Sequence, residues 1–173
     1  MNSYRIFMLT AGFFVYLFVQ VLLLKNLVLF GVAFCFLYVL YILLLPSEIK
    51  TPTLLIIAFV LGLVIDFFYD TLGMHAASLL VIAFFRNSWI KRLTPTGGYD
   101  DDIQPTLLNM GMGWFVYYAF PMFLLHAGIF FYIESLGTEL FFPVVQKIIA
   151  SAIFVFIMSI IVQLLFYNRR RGI

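Results

Sequence analysis

The sequence GLVIDFFYDTLG at residues 62–73 places Asp66 inside an apolar run, 53–69, that otherwise has the length and composition of a membrane-spanning helix. A carboxylate at the centre of a bilayer costs about 2.5–3.5 kcal/mol on insertion scales, so a chain keeps one there when it has a partner, water or a function. We therefore expect this stretch to include the functional part of the chain.

The composition of the whole chain points to a membrane protein. Of its 173 residues, 65% are hydrophobic and only 10% are charged, whereas soluble domains carry charge on about a quarter of their residues. Residues 1–173 are therefore predicted to form a single integral membrane domain, with lipid as its solvent. The net charge of +2 is too small to indicate a nucleic-acid partner, and the single Cys35 cannot form an internal disulfide.

Six apolar runs approach or reach the ~20 residues that a helix needs to cross about 30 Å of hydrocarbon. They are 6–24, 27–45, 53–69, 74–90, 107–132 and 144–167. Backbone groups in lipid must be paired within their own segment, so these runs are predicted to be helices. The expected fold class is an all-α, polytopic membrane protein with six transmembrane helices. The fourth run has a short apolar core, so a tilted span, a re-entrant segment and a helix ending in the interface all stay open.

Basic residues predict the orientation. Residues 86–104 form the one sizeable polar loop and include the acidic run 100–102, whose role the sequence does not indicate. If the amino terminus is cytoplasmic and all six runs cross, eight basic residues lie inside and only Lys25 and Lys147 lie outside. This distribution follows the positive-inside rule, so both termini and the loop 86–104 are predicted to be cytoplasmic.

Few polar residues are available for chemistry within the apolar runs. The sequence has no zinc-binding HExxH, no GxSxG and no phosphate-binding glycine-rich loop, so we expect no enzyme, cofactor or metal site. Asp66 and Asp70 are four residues apart and would share a helix face, and His75 follows the turn. These three could form a cation or proton site. Alternatively Asp70 is solvated and Asp66 reaches water or a helix cap, which we favour because two carboxylates and one imidazole do not define a metal.

Small residues and a proline mark two further features. Ala58 and Gly62 have the small-xxx-small spacing that lets helix backbones approach closely, either within the chain or between subunits. Pro121 is predicted to kink the fifth run, and the nearby His126 is interpreted as a hydrogen-bonded core residue.

Residues 62–80, GLVIDFFYDTLGMHAASLL, resemble the most recognisable part of the rod shape-determining protein MreD family. That family has a Gly-x-x-x-Asp pattern followed by a further glycine, which Gly62, Asp66 and Gly73 match here. Pro52, ahead of the span, also fits the pattern.

The resemblance implies a small, non-catalytic protein of the bacterial inner membrane. Such a protein would bind MreC and act with MreB, RodA and a class B penicillin-binding protein in the complex that elongates the peptidoglycan wall. The family's fold is similar to the six-helix substrate-binding components of vitamin (ECF) transporters. A small-molecule binding subunit of a transporter is therefore the alternative function.

Overall fold

The computed structural model describes residues 3–94, 104–136 and 141–167, and the fold of these residues is almost entirely helical. The elements are α1 (Ser3–Phe18), which continues as a π-helix (Val19–Leu24), β1 (Val28–Leu29), β2 (Ala33–Phe34), α2 (Tyr38–Leu44), α3 (Thr51–Tyr69), α4 (Met74–Leu93), α5 (Leu107–Met110), α6 (Met112–Glu134) and α7 (Phe141–Phe166). The all-α prediction is confirmed, with a four-residue hairpin as the one addition in this part of the chain.

Four helical segments among the described residues are long and apolar enough to cross a membrane. They are Ser3–Leu24, Thr51–Tyr69, Met112–Glu134 and Phe141–Phe166. Large apolar side chains such as Phe7, Phe67 and Phe166 are exposed on their outer faces, as expected where lipid replaces water. The chain thus has the character of a membrane protein.

The prediction of a continuous helix over 27–45 is wrong. The run starts as an antiparallel hairpin, in which Val28 pairs with Phe34 and Leu29 with Ala33, and only its last part is helical, as α2. Every residue of α2 is buried. Irregular backbone is tolerated in a membrane protein where protein surrounds it, and here the long helices supply that enclosure.

The predicted loop 86–104 begins later than expected. Helix α4 continues to Leu93, so Arg86 lies within a helix and its side chain is fully buried. The prediction that Arg86 belongs to the polar loop is wrong. The acidic run 100–102 lies outside the described residues.

Contacts at the two ends of the helices show how the first part of the chain runs. At the start of α1, Arg5 pairs with Glu48, which follows α2, at 3.3 Å. At the other end, the Lys25 ammonium donates to the carbonyl of Phe68, near the end of α3. The irregular run 27–45 therefore returns the chain from the far end of α1 to its starting end.

The closest helix contact lies between α3 and α4. Gly62 is buried, and a Cβ atom placed there would lie 2.3 Å from the Cα of Ala76. Ala58, one turn earlier, is also fully buried. The small-residue pair therefore serves packing within the chain, and α4 packs on its other side against α6.

Helix α6 runs through Pro121 without interruption. Proline has no N–H, so the carbonyl of Tyr117, four residues earlier, loses its intrahelical donor. The indole Nε1 of Trp89 on α4 donates to that carbonyl at 3.1 Å. The proline thus creates an acceptor that ties α6 to α4.

Candidate functional site

Asp66, near the end of α3, connects this helix to the start of α4 through hydrogen bonds. Its Oδ1 accepts hydrogen bonds from the backbone N–H of His75 at 3.0 Å and from the Thr71 hydroxyl at 2.5 Å. Its Oδ2 accepts from the N–H of Ala76 at 2.9 Å. The first amides of a helix have no intrahelical acceptor, and a carboxylate there also complements the positive end of the helix dipole. The buried carboxylate is therefore the cap of α4.

The reversal between the two helices needs two left-handed residues. Asp70 ends α3 with φ of 56°, and its N–H donates to the carbonyl of Asp66. Gly73 precedes α4 with φ of 86°, a conformation that glycine adopts without the cost other residues carry. Pro52 occupies the first turn of α3, where a missing N–H is harmless. All four residues that carry the family resemblance are thus at helix ends or at a helix contact.

The structure does not gather Asp66, Asp70 and His75 into one site. The Asp70 residue is exposed, whereas Asp66 and His75 are buried. Both oxygens of Asp66 are engaged by the start of α4, and His75 meets Asp66 through its backbone. Among the described residues no group of three or more His, Cys, Asp and Glu side chains could hold a metal ion.

Gln20, on the π-helix, supports the irregular chain after the hairpin. Its Nε2 donates to the carbonyl of Cys35 at 2.8 Å and to the hydroxyl of Tyr69 at 2.7 Å, and its Oε1 accepts from the N–H of Tyr38 at 3.4 Å. One amide side chain thus pairs backbone groups that no helix or strand satisfies.

Ser151, on α7, hydrogen-bonds to backbone groups of the hairpin. The N–H of Phe34 donates to the Ser151 Oγ at 2.9 Å, and this hydroxyl approaches the carbonyl of Val32 at 3.4 Å. Likewise Gln163 on α7 accepts from the N–H of Leu107, the first residue of α5, at 2.7 Å.

Arg86 hydrogen-bonds to the carboxyl end of α2. Its guanidinium donates to the carbonyl of Leu43 at 3.2 Å and also to that of Leu45, which are groups at the end of α2. Its Nε donates to the Tyr118 hydroxyl at 3.1 Å, and that hydroxyl donates to the carbonyl of Leu43 at 2.8 Å. A cation is favourable at a helix carboxyl end, so this buried charge is matched by carbonyl dipoles.

One buried polar cluster is built differently, from side chains alone, because one tyrosine hydroxyl joins two imidazoles. The Tyr38 hydroxyl lies 2.6 Å from Nδ1 of His75 and 2.9 Å from Nε2 of His126. These residues come from α2, α4 and α6 and are all buried. We call this set the His-Tyr-His cluster, and it is the candidate functional site.

The Tyr38 hydroxyl has one proton, which constrains both imidazoles. It can donate to one ring nitrogen and must accept from the other. If Nδ1 of His75 is the donor, its Nε2 carries a bare lone pair, and if Nδ1 is the acceptor, Nε2 carries a proton. In the described part of the chain, Nε2 of His75 is the one buried side-chain nitrogen or oxygen without a hydrogen-bond partner.

Aromatic rings surround that nitrogen. The His75 ring centroid lies 4.7 Å from Phe130, 4.9 Å from Tyr69, 5.4 Å from Tyr38 and 5.8 Å from Phe36. Aromatic faces attract a polarised N–H, so the enclosure suits a protonated Nε2 better than a bare lone pair. The space beside His126, lined by Phe36, Phe123 and Ser151 among others, has no room for a water molecule.

Sequence reasoning located Asp66 and His75 but missed the cluster's centre. His126 was interpreted as a hydrogen-bonded core residue without a named partner, and Tyr38 lies in a run that the sequence presents as uniformly apolar. A tyrosine or arginine inside an apolar run is the one available signal, because its polar atom needs a partner once buried. That signal would have identified Tyr38, Arg86 and Tyr118.

No protein-family model matches the chain, and neither a curated protein nor a solved structure is significantly similar to it.

Proposed function

We propose that the chain is a non-catalytic membrane scaffold of the bacterial cell-elongation (rod) complex, which binds MreC and supports peptidoglycan synthesis and cell shape. It would lie in the inner membrane with both termini cytoplasmic and act with MreB, RodA and a class B penicillin-binding protein. Six passes are part of the proposal, the second being the hairpin with α2 rather than a regular helix. The fold would then be similar to that of the six-helix substrate-binding components of ECF transporters.

The observation that carries this proposal is the use of the motif residues in shaping one corner. Gly62 allows α3 and α4 to touch, Asp66 caps α4, and Gly73 reverses the chain. A motif that holds two helices at a fixed distance suits a protein that acts by presenting a binding surface to its partners. The buried charges Asp66 and Arg86 are likewise committed to backbone groups.

The alternative, a vitamin-like binding subunit, has less support. Such pockets combine an apolar lining with several convergent polar groups. Four residues are the candidates to line such a pocket: Asp66, Asp70, His75 and Glu134. Asp66 is bound to α4, Asp70 is exposed, His75 binds the Tyr38 hydroxyl, and Glu134 pairs with Lys147 at 3.3 Å. The space between the helices is filled by buried aromatic side chains such as Phe130 and Phe131. Ligand-dependent thermal stabilisation across a vitamin panel would favour this alternative.

The test is recovery of partners from native membranes. Affinity-tagged chain, crosslinked before detergent extraction, is expected to recover MreC and other elongation proteins. Recovery of none of them would overturn the proposal.

A matched pair of variants tests the role of the corner. Gly62→Ala places a methyl group against Ala76 and is expected to reduce MreC recovery at least about fivefold, by forcing α3 and α4 apart. Gly128→Ala is the control, since a Cβ there meets no atom within 4 Å. Recovery is normalised to the monodisperse fraction in gel filtration, so that loss of folded protein is not counted as loss of binding. Equal recovery with both variants would contradict the proposed role.

A further inference from the structure

An open cleft of about 480 Å³ lies where α3 begins and α4 ends. Lys50, which precedes α3, and Lys91, in the last turn of α4, both line it and both are exposed. They converge from elements that are more than 40 residues apart in sequence. We call this space, lined also by Glu48, Thr51, Asn87 and Thr94, the basic cleft.

The start of α3 adds backbone donors to the cleft wall. Lys50 is the N-cap residue, has extended backbone geometry and makes no side-chain capping bond. Pro52 has no N–H, and the first amide with an acceptor in the helix is that of Leu54, which donates to the carbonyl of Lys50 at 3.1 Å. The amides of Thr51 and Thr53 therefore have no intrahelical acceptor, and the helix dipole makes this end attractive to anions.

Asn87 fixes the geometry of this wall. Its Nδ2 donates to the carbonyl of Ile49 at 2.9 Å and to the Thr51 Oγ1 at 3.1 Å. Its Oδ1 accepts from the Arg86 guanidinium at 3.0 Å. Because the Thr51 oxygen already accepts a hydrogen bond, its own proton remains to be donated to another acceptor.

The charge balance of the cleft is positive. Its carboxylate, Glu48, is paired with Arg5 at 3.3 Å. Within the described part of the chain, no ion pair joins Lys50 or Lys91 to a carboxylate. Two lysines, Thr51 and the amino end of α3 thus line one space.

We propose that the basic cleft binds a phosphate group, supplied by the headgroup of an anionic phospholipid. The cleft lies at the start of α3, a helix that is long and apolar enough to cross a bilayer, and lipid phosphates lie at the ends of such helices. Basic pockets between transmembrane helices recognise such headgroups through charge and hydrogen bonding, and ammonium groups with helix amides are the donors that phosphate prefers.

Native mass spectrometry of the full chain, released from nanodiscs, tests the proposal. In nanodiscs of phosphatidylcholine with about 30% phosphatidylglycerol, the chain is expected to retain phosphatidylglycerol selectively. Lys50→Ala with Lys91→Ala is expected to lower that retention about 25-fold, since one lysine beside anionic headgroups is worth about 1 kcal/mol, or about fivefold.

The control is Arg92→Ala, which removes an exposed basic residue next to Lys91 that does not line the cleft. It is expected to change retention by less than about twofold. Equal losses in the control and the double variant, or no loss in either, would overturn the proposal.

A second measurement separates the sources of the phosphate. Thermal stabilisation of the chain in neutral detergent is compared for inorganic phosphate, glycerol phosphate and a short-chain phosphatidylglycerol. Stabilisation by the lipid alone, lost in the double lysine variant, supports the headgroup. Equal stabilisation by inorganic phosphate would overturn the lipid as the source, and stabilisation by none of the three would overturn the phosphate site.

Discussion

Asp66 and His75 lie side by side at one corner of the fold, yet their polar atoms are treated in opposite ways. The Asp66 carboxylate receives three hydrogen bonds, two of them from the backbone of α4. The His75 imidazole binds one hydroxyl and keeps a buried nitrogen without a partner. Buried charges are costly unless they are fully paired, whereas a neutral imidazole can be buried with one of its two nitrogens lacking a hydrogen-bond partner.

The same contrast extends through the described residues. Arg86, like Asp66, is a buried charge that binds backbone groups of a neighbouring element, since two of its four hydrogen-bond partners are carbonyls at the end of α2. In the His-Tyr-His cluster the side-chain hydrogen bonds instead join the three members to one another. The two buried charges therefore stabilise helix ends, whereas the cluster links side chains of three helices.

Arg86→Met should have the largest effect. It removes the Arg86 donors to the Leu45 carbonyl and the Tyr118 hydroxyl, and one of the two donors to the Leu43 carbonyl. Leaving buried acceptors unpaired costs about 1–3 kcal/mol each. We expect the free energy of unfolding in mixed micelles to fall by about 3–5 kcal/mol. Arg92→Met, at an exposed position of the same helix, is the control and should change it by less than about 0.5 kcal/mol. Similar values for both variants would show that Arg86 does not support α2.

Asp66→Ala should come next. Loss of the cap leaves two amides of α4 without acceptors, and removing a helix cap costs about 0.5–2 kcal/mol. We expect a loss near 2 kcal/mol because the site is buried. Asp70→Asn is the matched control, since the Asp70 side chain is exposed and asparagine tolerates the left-handed backbone at this position. A larger loss from Asp70→Asn would contradict the assignment of the cap.

Tyr38→Phe probes the cluster with the loss of one oxygen. Both imidazoles lose their shared partner, and we expect a fall of about 1–2 kcal/mol in the free energy of unfolding. Tyr117→Phe, at an exposed position of α6, controls for the loss of a phenol. An unchanged stability in Tyr38→Phe would mean that the hydroxyl does not connect the two histidines.

His75→Leu should have the smallest effect. It removes the unpartnered nitrogen, and Tyr38 keeps His126 as its partner. We expect a change below about 1 kcal/mol, because an apolar group of similar size replaces an incompletely satisfied polar one. A loss larger than that of Tyr38→Phe would contradict the contrast between the charged and the neutral groups. If stability is kept while MreC recovery falls, the cluster serves the proposed function.

The sequence predicted those features whose causes are local. The turn after α3 is encoded within eight residues by Asp66, Asp70 and Gly73, and a helix cap for Asp66 was among the stated alternatives. Apolar length also predicted the long helices, of which four are long and apolar enough to span a membrane.

The features that the sequence did not predict have distant causes. A continuous helix over 27–45 was expected because hydropathy does not record that Ser151, 117 residues after Phe34, can satisfy a strand amide. Arg86 was placed in a loop because its acceptors are carbonyls, which every residue has and no pattern reveals. The His-Tyr-His cluster needs three helices at once, so no local spacing could indicate it.

The hairpin and α2 have a consequence for how the chain enters the bilayer. Their backbone is held by Arg86 and Ser151, which the ribosome adds long after residues 27–45 have been made. Until those side chains arrive, this stretch would expose unpaired amides and carbonyls to hydrocarbon. The final structure of this stretch must therefore wait for α4 and α7, and a chain truncated before position 151 would lack the Ser151 partner of the hairpin.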